Sequence, residues 1–171
     1  MPNVHPLLVH FPIALLLAAT AVDLGHAARP DRATLRDTAT WLYCAGASMA
    51  MAAYFSGLTA AGGLRVAEDV WPAVTAHFTW AERTTWFFVF FASFRMAVSF
   101  IWRSTRRRTA LISSMVALVG VLLLLATADR GGRLVFRHGL GVASVPADGR
   151  PWTIQEADTP AAATPTRPGS P

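Results

Sequence analysis

Charge is scarce in this sequence, lysine is absent and there is one cysteine. Charged residues make up only 15% of the 171 residues and hydrophobic residues 53%, a balance far from that of a soluble domain. The lone Cys44 excludes an intrachain disulfide and a C-x-x-C-H haem-attachment motif. The sequence also contains no phosphate-binding loop, dinucleotide fingerprint or nucleophile elbow, so no feature supports soluble catalysis.

The basic residues are fifteen arginines, and the formal net charge is +5. A basic protein can bind nucleic acid, but here the arginines are concentrated in short connections between apolar blocks. In that position they set the topology of a membrane protein. We therefore expect the lipid bilayer as the main partner and no nucleic acid.

Long apolar blocks dominate the rest of the sequence. Each has about twenty residues, the length that crosses ~30 Å of hydrocarbon as a helix. The blocks predict an all-α integral membrane protein, a four-transmembrane-helix bundle whose membrane domain covers residues 1–142. The predicted spans are residues 7–24, 39–60, 79–102 and 109–128.

The chain after the fourth predicted span divides into two parts. Residues 129–142 are expected to form a Gly-rich outer lid that folds back at Gly131–Gly132, because glycine tolerates sharp turns. Residues 143–171 are rich in proline, alanine and threonine and cannot bury a core. We expect them to form a flexible, disordered outer tail.

Two arginine-rich connections predict the orientation. Residues 29–36 contain three arginines and residues 103–108 contain four, whereas the connection between the second and third spans has only Arg65. The positive-inside rule then places both arginine-rich connections in the cytoplasm and both termini outside, N-out/C-out. The opening MPNVHP has no basic residue. A signal peptide starts with a basic region, so we expect a retained first span in a bacterial inner membrane.

A stripe of small residues runs along the second predicted span. Gly46, Ala50, Ala53 and Gly57 recur at spacings of four, three and four. Such a stripe allows a neighbouring helix or a flat cofactor to approach closely. Of the two, helix packing is the simpler interpretation.

Four of the five histidines are predicted to lie on one side of the membrane. His5 and His10 begin the first span from outside, His77 immediately precedes the third, and His138 follows the fourth. Only His26 falls on the cytoplasmic side, where we expect a solvated loop residue. For any single histidine an interfacial hydrogen bond is the simplest role, but the set of four suggests a metal or haem site.

Imidazole is a good ligand for iron, copper and zinc, and it is the usual axial ligand of b-type haem in helix bundles. A haem needs two histidines on different helices at one depth, and His10 with His77 is the first pair to consider. His5 and His138 are further candidate metal ligands. Arginines near the outer ends are candidate partners for haem propionates: Arg83, Arg130, Arg133 and Arg137. A transition-metal ion, or no cofactor, remains an alternative to haem b.

Two charges fall inside predicted spans. Asp23 lies near the cytoplasmic end of the first span and Arg95 lies within the third. Neither ion is tolerable alone in hydrocarbon, so we predict a buried pair, acting as a structural clamp or less readily as a proton relay. His77 and Arg95 are eighteen residues apart and share a helical face, so His77 should point inward as well.

Two stretches taken together resemble a known family. HPLLVHFPIALLL at the start and GGRLVFRHGLGV after the last span are similar to the two ends of a bacterial membrane-protein family catalogued as domain of unknown function 2231. The resemblance covers roughly residues 3–142 and implies a four-helix membrane domain without an established activity. It places His5, His10 and His138 at the motif histidines, with Gly139 and Gly141 beside the last. His77 lies in the variable middle of the pattern.

These observations predict an electron-transfer subunit of a membrane complex whose outer histidines bind b-type haem or a transition metal. The alternative is a non-catalytic structural or assembly subunit, in which the histidines form hydrogen bonds at helix ends. A quinone or lipid pocket at the outer face is a third option. In each case an accessory role is favoured over an enzyme, with membrane-protein partners or a homo-oligomer.

Overall fold

The computed structural model describes residues 4–62, 67–102 and 106–140. Helices account for most of the described residues, which contain no strand. A 3-10 helix, Glu68–Val70, precedes the fourth helix, and a π-helical segment, Ala97–Ile101, extends it. The five α-helices are α1 His5–Leu8, α2 His10–Ala28, α3 Ala33–Ala61, α4 Trp71–Met96 and α5 Arg107–His138. The predicted outer tail, residues 143–171, lies outside the described residues, as do Gly141 and Arg65.

The four long helices form a bundle in which each packs against two others. Helix α2 packs on α3, α3 on α4, α4 on α5, and α5 closes the ring against α2; α1 lies on α3 and α2. Each helix contributes a fully buried side chain to one core: Leu16, Tyr43, Phe88 and Ala117 are all 0% exposed. The predicted all-α four-helix architecture is therefore confirmed.

Three helical stretches are long and apolar enough to cross a membrane: His5–Ala28, Glu68–Ile101 and Arg107–His138. Helix α3, which contains the second predicted span, has 29 residues and is ~43 Å long at 1.5 Å per residue. It does not reach the same hydropathy. Part of the reason is that α3 buries polar residues such as Thr40 against its neighbours. The structure thus supports three of the four predicted crossings by length and composition.

The helices extend beyond the predicted spans. Helix α4 begins at Trp71, eight residues before the predicted start of the third span at 79, and Pro72 lies in its first turn, where the missing N–H costs nothing. His77 is consequently inside a helix and not in the connection before it. The same helix continues into the π-helical segment, where the Trp102 N–H donates to the Ala97 carbonyl at 2.9 Å.

The chain does not fold back at Gly131–Gly132, where the lid was expected to turn. Helix α5 continues through both glycines to His138. It ends at Gly139, which has a φ of 64°, and the Leu140 N–H donates to the Leu134 carbonyl at 3.0 Å. This is the left-handed glycine stop common at helix ends. The described part of the expected lid is therefore the last turns of α5.

Glycines set the closest helix contacts in the bundle. A Cβ on Gly46 of α3 would lie 2.6 Å from a methyl carbon of Leu16 on α2, and one on Gly120 of α5 would lie 2.7 Å from Phe88 Cζ on α4. The small-residue stripe of α3 thus packs against α2 at Gly46. At Gly57, the other end of the stripe, it makes room for the ring of His5.

Candidate functional site

A buried ion pair lies inside the bundle. Arg95 Nη2 is 2.9 Å from Asp23 Oδ1, and the two side chains are 1% and 0% exposed. The structure thereby joins the two charges that the sequence analysis paired. We call the group around them the inner polar cluster: Asp23, His26, Arg36, Arg95, Ser113 and Ser114.

The inner polar cluster draws on all four long helices. Arg95 Nη1 donates to Ser113 Oγ at 2.8 Å, and Arg95 Nη2 donates to the Arg36 carbonyl at 3.3 Å. The Ser114 hydroxyl donates to the Asp23 carbonyl at 3.2 Å and lies 3.4 Å from its Oδ2. Because each bond joins a different pair of helices, the cluster fixes the helices relative to one another.

A shell of hydroxyl groups continues from the inner polar cluster into the core. Thr40 and Ser99 share a hydrogen bond of 2.7 Å between α3 and the π-helical segment. The Tyr43 hydroxyl donates to Thr20 Oγ1 at 3.3 Å, joining α3 to α2. These bonds satisfy polar groups that would be costly to bury without a partner.

His26 was expected to be a solvated loop residue, but it is buried. It lies in the last turns of α2, is 3% exposed, and has Arg95, Arg36 and Asp37 as its charged neighbours. Its Nδ1 has no hydrogen-bond partner among the described residues. A sequence signal existed: His26 is three residues after Asp23, so a longer helix places both on one face.

At the opposite end of the bundle, His5 lies over the small-residue stripe of α3. Its Nδ1 is 2.9 Å from the Ala53 carbonyl and 3.0 Å from Ser56 Oγ. A Cβ on Gly57 would lie 3.0 Å from the ring. Because a carbonyl only accepts, Nδ1 carries the hydrogen in this bond, and the lone pair of the neutral ring is on Nε2.

His77 repeats this arrangement on α5. Its ring lies over Gly131, where a Cβ would be 3.0 Å away, and it hydrogen-bonds to the backbone of Thr127. Its Nδ1 is buried and has no partner among the described residues. In both cases a glycine follows four residues after the residue whose backbone contacts the imidazole: Gly57 after Ala53, and Gly131 after Thr127. Because glycine has no side chain, the imidazole can reach the backbone of that residue.

The two imidazoles face the interior at the same end of the bundle, and His5 is an electrostatic neighbour of His77. We call them the outer histidine pair. Arg130 lies at the same end of the bundle, beside His77. Its Cζ is 4.1 Å from the centroid of the Trp80 ring. Trp80 is three residues after His77 and therefore lies on the same face of α4.

The other predicted site residues are on the surface. His10 and His138 are exposed and lie outside this pair. Three of the four arginines named as propionate partners are exposed as well: Arg83, Arg133 and Arg137. Arg133 forms an exposed ion pair of 2.8 Å with Asp129. In the described ranges no group of three or more histidine, cysteine or carboxylate side chains is placed to hold a metal ion.

The outer histidine pair offers two imidazoles, and the described residues place no third histidine, cysteine or carboxylate with them to hold a metal ion. It supplies two nitrogens from two helices, and His77 Nδ1 is an orphaned buried polar atom. The His5 ring is oriented by the bond of its Nδ1 to the Ala53 carbonyl, and the Thr127 backbone lies beside the His77 ring. The glycines beneath the rings leave the space that the two imidazoles themselves occupy. A haem or a metal ion with two protein ligands is compatible with these residues.

The chain matches one family model over most of its length. Residues 1–144 match the family described as "Predicted membrane protein (DUF2231)". The chain belongs to this family. The match confirms the resemblance drawn from the two terminal motifs and covers every described residue, including the inner polar cluster and the outer histidine pair. It agrees with the apolar helices that place the protein in a lipid bilayer.

No curated protein and no solved structure matches the chain. The family description gives a location in the membrane and no activity. The chemistry of the two buried polar sites is therefore the basis for any functional assignment.

Proposed function

We propose that this membrane protein binds b-type haem or a transition-metal ion at the outer histidine pair and serves as an electron-transfer subunit of a membrane complex. The observation that carries the proposal is His77 Nδ1, which is buried without a partner beside His5. In a membrane, a buried nitrogen without a partner costs several kcal/mol. A ligand at Nδ1 would remove that cost.

The residues that would hold the group are His5 and His77. This pair replaces the pair His10 and His77 that the sequence favoured, because His10 is exposed at the start of α2. The neighbouring helices orient both rings through the Ala53 carbonyl and the Thr127 backbone. A bound haem or copper ion would supply one-electron transfer. The protein would supply the two imidazoles and their orientation.

The proposal includes an orientation. The arginine-rich connections, residues 29–36 and 103–108, would face the cytoplasm, and the outer histidine pair the other side of a bacterial inner membrane. The proposed orientation rests on the charges of these connections and assumes that α3 crosses with the three more apolar helices. Electron partners would then reach the pair from outside the cytoplasm, either within a larger complex or in a homo-oligomer.

The test is absorption spectroscopy of protein purified in detergent after haem-replete expression, with metal analysis of the same sample. We expect a Soret band that is lost in His77→Ala and in His5→Ala but retained in His10→Ala and His138→Ala. Gly131→Ala should weaken the band because the new methyl group meets the His77 ring, whereas Gly132→Ala, with nothing nearer than 4.0 Å, should not.

Two results would contradict the proposal. One is a colourless protein with no stoichiometric metal. The other is a band lost only in His10→Ala, which would return the site to the exposed residues.

A second candidate is a non-catalytic structural subunit. The observation in its favour is that both imidazoles already bond to the backbone of a neighbouring helix. Such bonds hold the ends of two helices together without any cofactor. In that case His77→Gln, which keeps a side-chain donor, should preserve both stability and co-purification with a partner, and His77→Ala should lower both. Loss of a cofactor from stable His77→Gln would favour the first candidate instead.

A further inference from the structure

Arg130 is held in a fixed position near the outer end of the bundle. Its guanidinium carbon lies 4.1 Å from the centroid of the Trp80 ring, and its Nη1 donates to the Ala126 carbonyl at 2.8 Å. The side chain is half-buried. A guanidinium stacked on an indole keeps its plane and presents its remaining N–H groups in a defined direction.

Arg130 is the arginine that is not exposed and that forms no ion pair among those of the described residues. Of the described arginines, three are not exposed: Arg36, Arg95 and Arg130. Arg36 pairs with Asp37 and Arg95 with Asp23, each at 2.9 Å. The ion pairs among the described residues include no carboxylate for Arg130. The adjacent Asp129 pairs with Arg133 instead.

The position of Arg130 links it to the outer histidine pair. It directly precedes Gly131, on which the His77 ring rests, and it is an electrostatic neighbour of that ring. Trp80 and His77 share one face of α4. A cation, an aromatic platform and an inward-facing imidazole therefore meet at one point between α4 and α5.

We propose that Arg130, held on Trp80, is a binding site for an oxyanion, either a carboxylate or a phosphate. Planar guanidinium binds such groups through two parallel N–H···O bonds. The carboxylate could be a propionate of a haem on the outer histidine pair, and this part rests on the proposed function. The phosphate could belong to the headgroup of an anionic phospholipid, a source that needs no haem.

The experiment compares the wild-type protein with Arg130→Gln and Arg130→Lys in nanodiscs. Arg133→Gln is the matched control, since Arg133 is one turn further along α5 and exposed. The first probe is haem b against its dimethyl ester, which lacks the propionate charges. The second is the retention of phosphatidylglycerol against phosphatidylcholine, measured by native mass spectrometry.

For a carboxylate ligand, Arg130→Gln should weaken haem b binding about tenfold, because a charged hydrogen bond is lost. The dimethyl ester should bind wild type and variant equally, and Arg130→Lys should lie between them. For a phosphate ligand, Arg130→Gln should abolish the preference for phosphatidylglycerol. Arg133→Gln should change neither result.

The two proposals fail separately. Protein that binds no haem but selects phosphatidylglycerol through Arg130 would reject the haem centre and keep the oxyanion site. Protein that binds both forms of haem equally, with no effect of Arg130→Gln on haem or lipid, would overturn the oxyanion site and keep the haem centre.

Discussion

A guanidinium buried in a membrane bundle needs polar partners, and Arg95 finds them on three other helices. The Arg36 carbonyl on α3 and Ser113 on α5 accept hydrogen bonds from it, and Asp23 on α2 forms the ion pair. An ion pair buried to this extent adds little net stability by its charge attraction, because both ions lost their water. Its effect is to penalise every packing in which the two charges are apart.

Asp23→Asn should therefore be strongly destabilising. The change removes the carboxylate charge but leaves Arg95 buried without a counter-ion, which costs about 3–5 kcal/mol. Thermal unfolding of the detergent-solubilised protein would measure the loss. The double variant Asp23→Asn with Arg95→Met should recover much of it, because no charge then remains unpaired.

Asp129→Asn is the matched control for this prediction. It breaks the pair with Arg133, whose side chains are 53% and 54% exposed, so we expect a loss of less than about 1 kcal/mol. Equal losses for the two single variants, or no recovery in the double variant, would contradict a clamp at Asp23 and Arg95.

At the scale of the helices, glycine position decides how closely two elements pack. An imidazole ring packs directly against Gly57 and another against Gly131. A leucine side chain packs against Gly46, and two phenylalanine rings pack against Gly120. Glycine inside a helix costs about 1 kcal/mol relative to alanine. The glycines with close contacts offset that cost by allowing a neighbour to approach the backbone.

Gly120→Ala and Gly132→Ala should have opposite effects on the same helix. A Cβ at position 120 would be 2.7 Å from Phe88 Cζ and would also overlap the ring of Phe87. We expect overpacking to outweigh the better helix propensity, with a net loss of about 1–2 kcal/mol. At position 132 the nearest atom is 4.0 Å away, so alanine should be neutral or stabilise by up to about 1 kcal/mol.

Thermal unfolding of the two glycine variants in one detergent is the measurement. If Gly120→Ala is as stable as Gly132→Ala, the contact between α4 and α5 is looser than the structure describes. The Gly132→Ala variant also tests α5 directly. A sharp turn at that position would make alanine destabilising.

The sequence predicted the helices well and their ends poorly. Apolar block length was enough to find four long helices, and the position of Asp23 and Arg95 within blocks was enough to pair them. The end of α5 is not predictable in this way, because two adjacent glycines in a sequence indicate a turn. The actual role of Gly131 depends on a contact with His77, which only tertiary packing reveals.

The candidate site residues were likewise predictable only where local helix geometry was enough. His77 was correctly expected to point inward, since its spacing from Arg95 follows helix geometry. The burial of His26 was missed because α2 continues to Ala28, four residues beyond the predicted span. The position of His5 beside His77, with His10 exposed, depends on α1, a helix of four residues for which apolar periodicity gives no signal.

At the scale of the whole molecule, the bundle is uneven in polarity. Helix α3 is less apolar than the three stretches that meet the requirements for a membrane span. It packs against both α2 and α4 and buries part of its surface there. A helix of this kind depends on its neighbours for a stable position in lipid.

Labelling of single cysteines tests the proposed orientation and the crossing by α3 together. In a Cys44→Ser background, Asp31→Cys and Asp69→Cys place one exposed thiol in each of two connections on either side of α3. With a membrane-impermeant maleimide on intact spheroplasts, we expect Cys at position 69 to react and Cys at position 31 to react only after lysis. Reaction of both positions on intact spheroplasts would show that α3 does not cross.

The ion pair between α2 and α4 also constrains how the protein is made. Positions 23 and 95 are 72 residues apart, so a ribosome adding 5–20 residues per second completes Arg95 roughly 4–14 s after Asp23. During that interval the carboxylate has no partner, and α2 must either stay near the interface or hold Asp23 protonated. Insertion of α4 then supplies the guanidinium, so the ion pair forms only after the third long helix has been made.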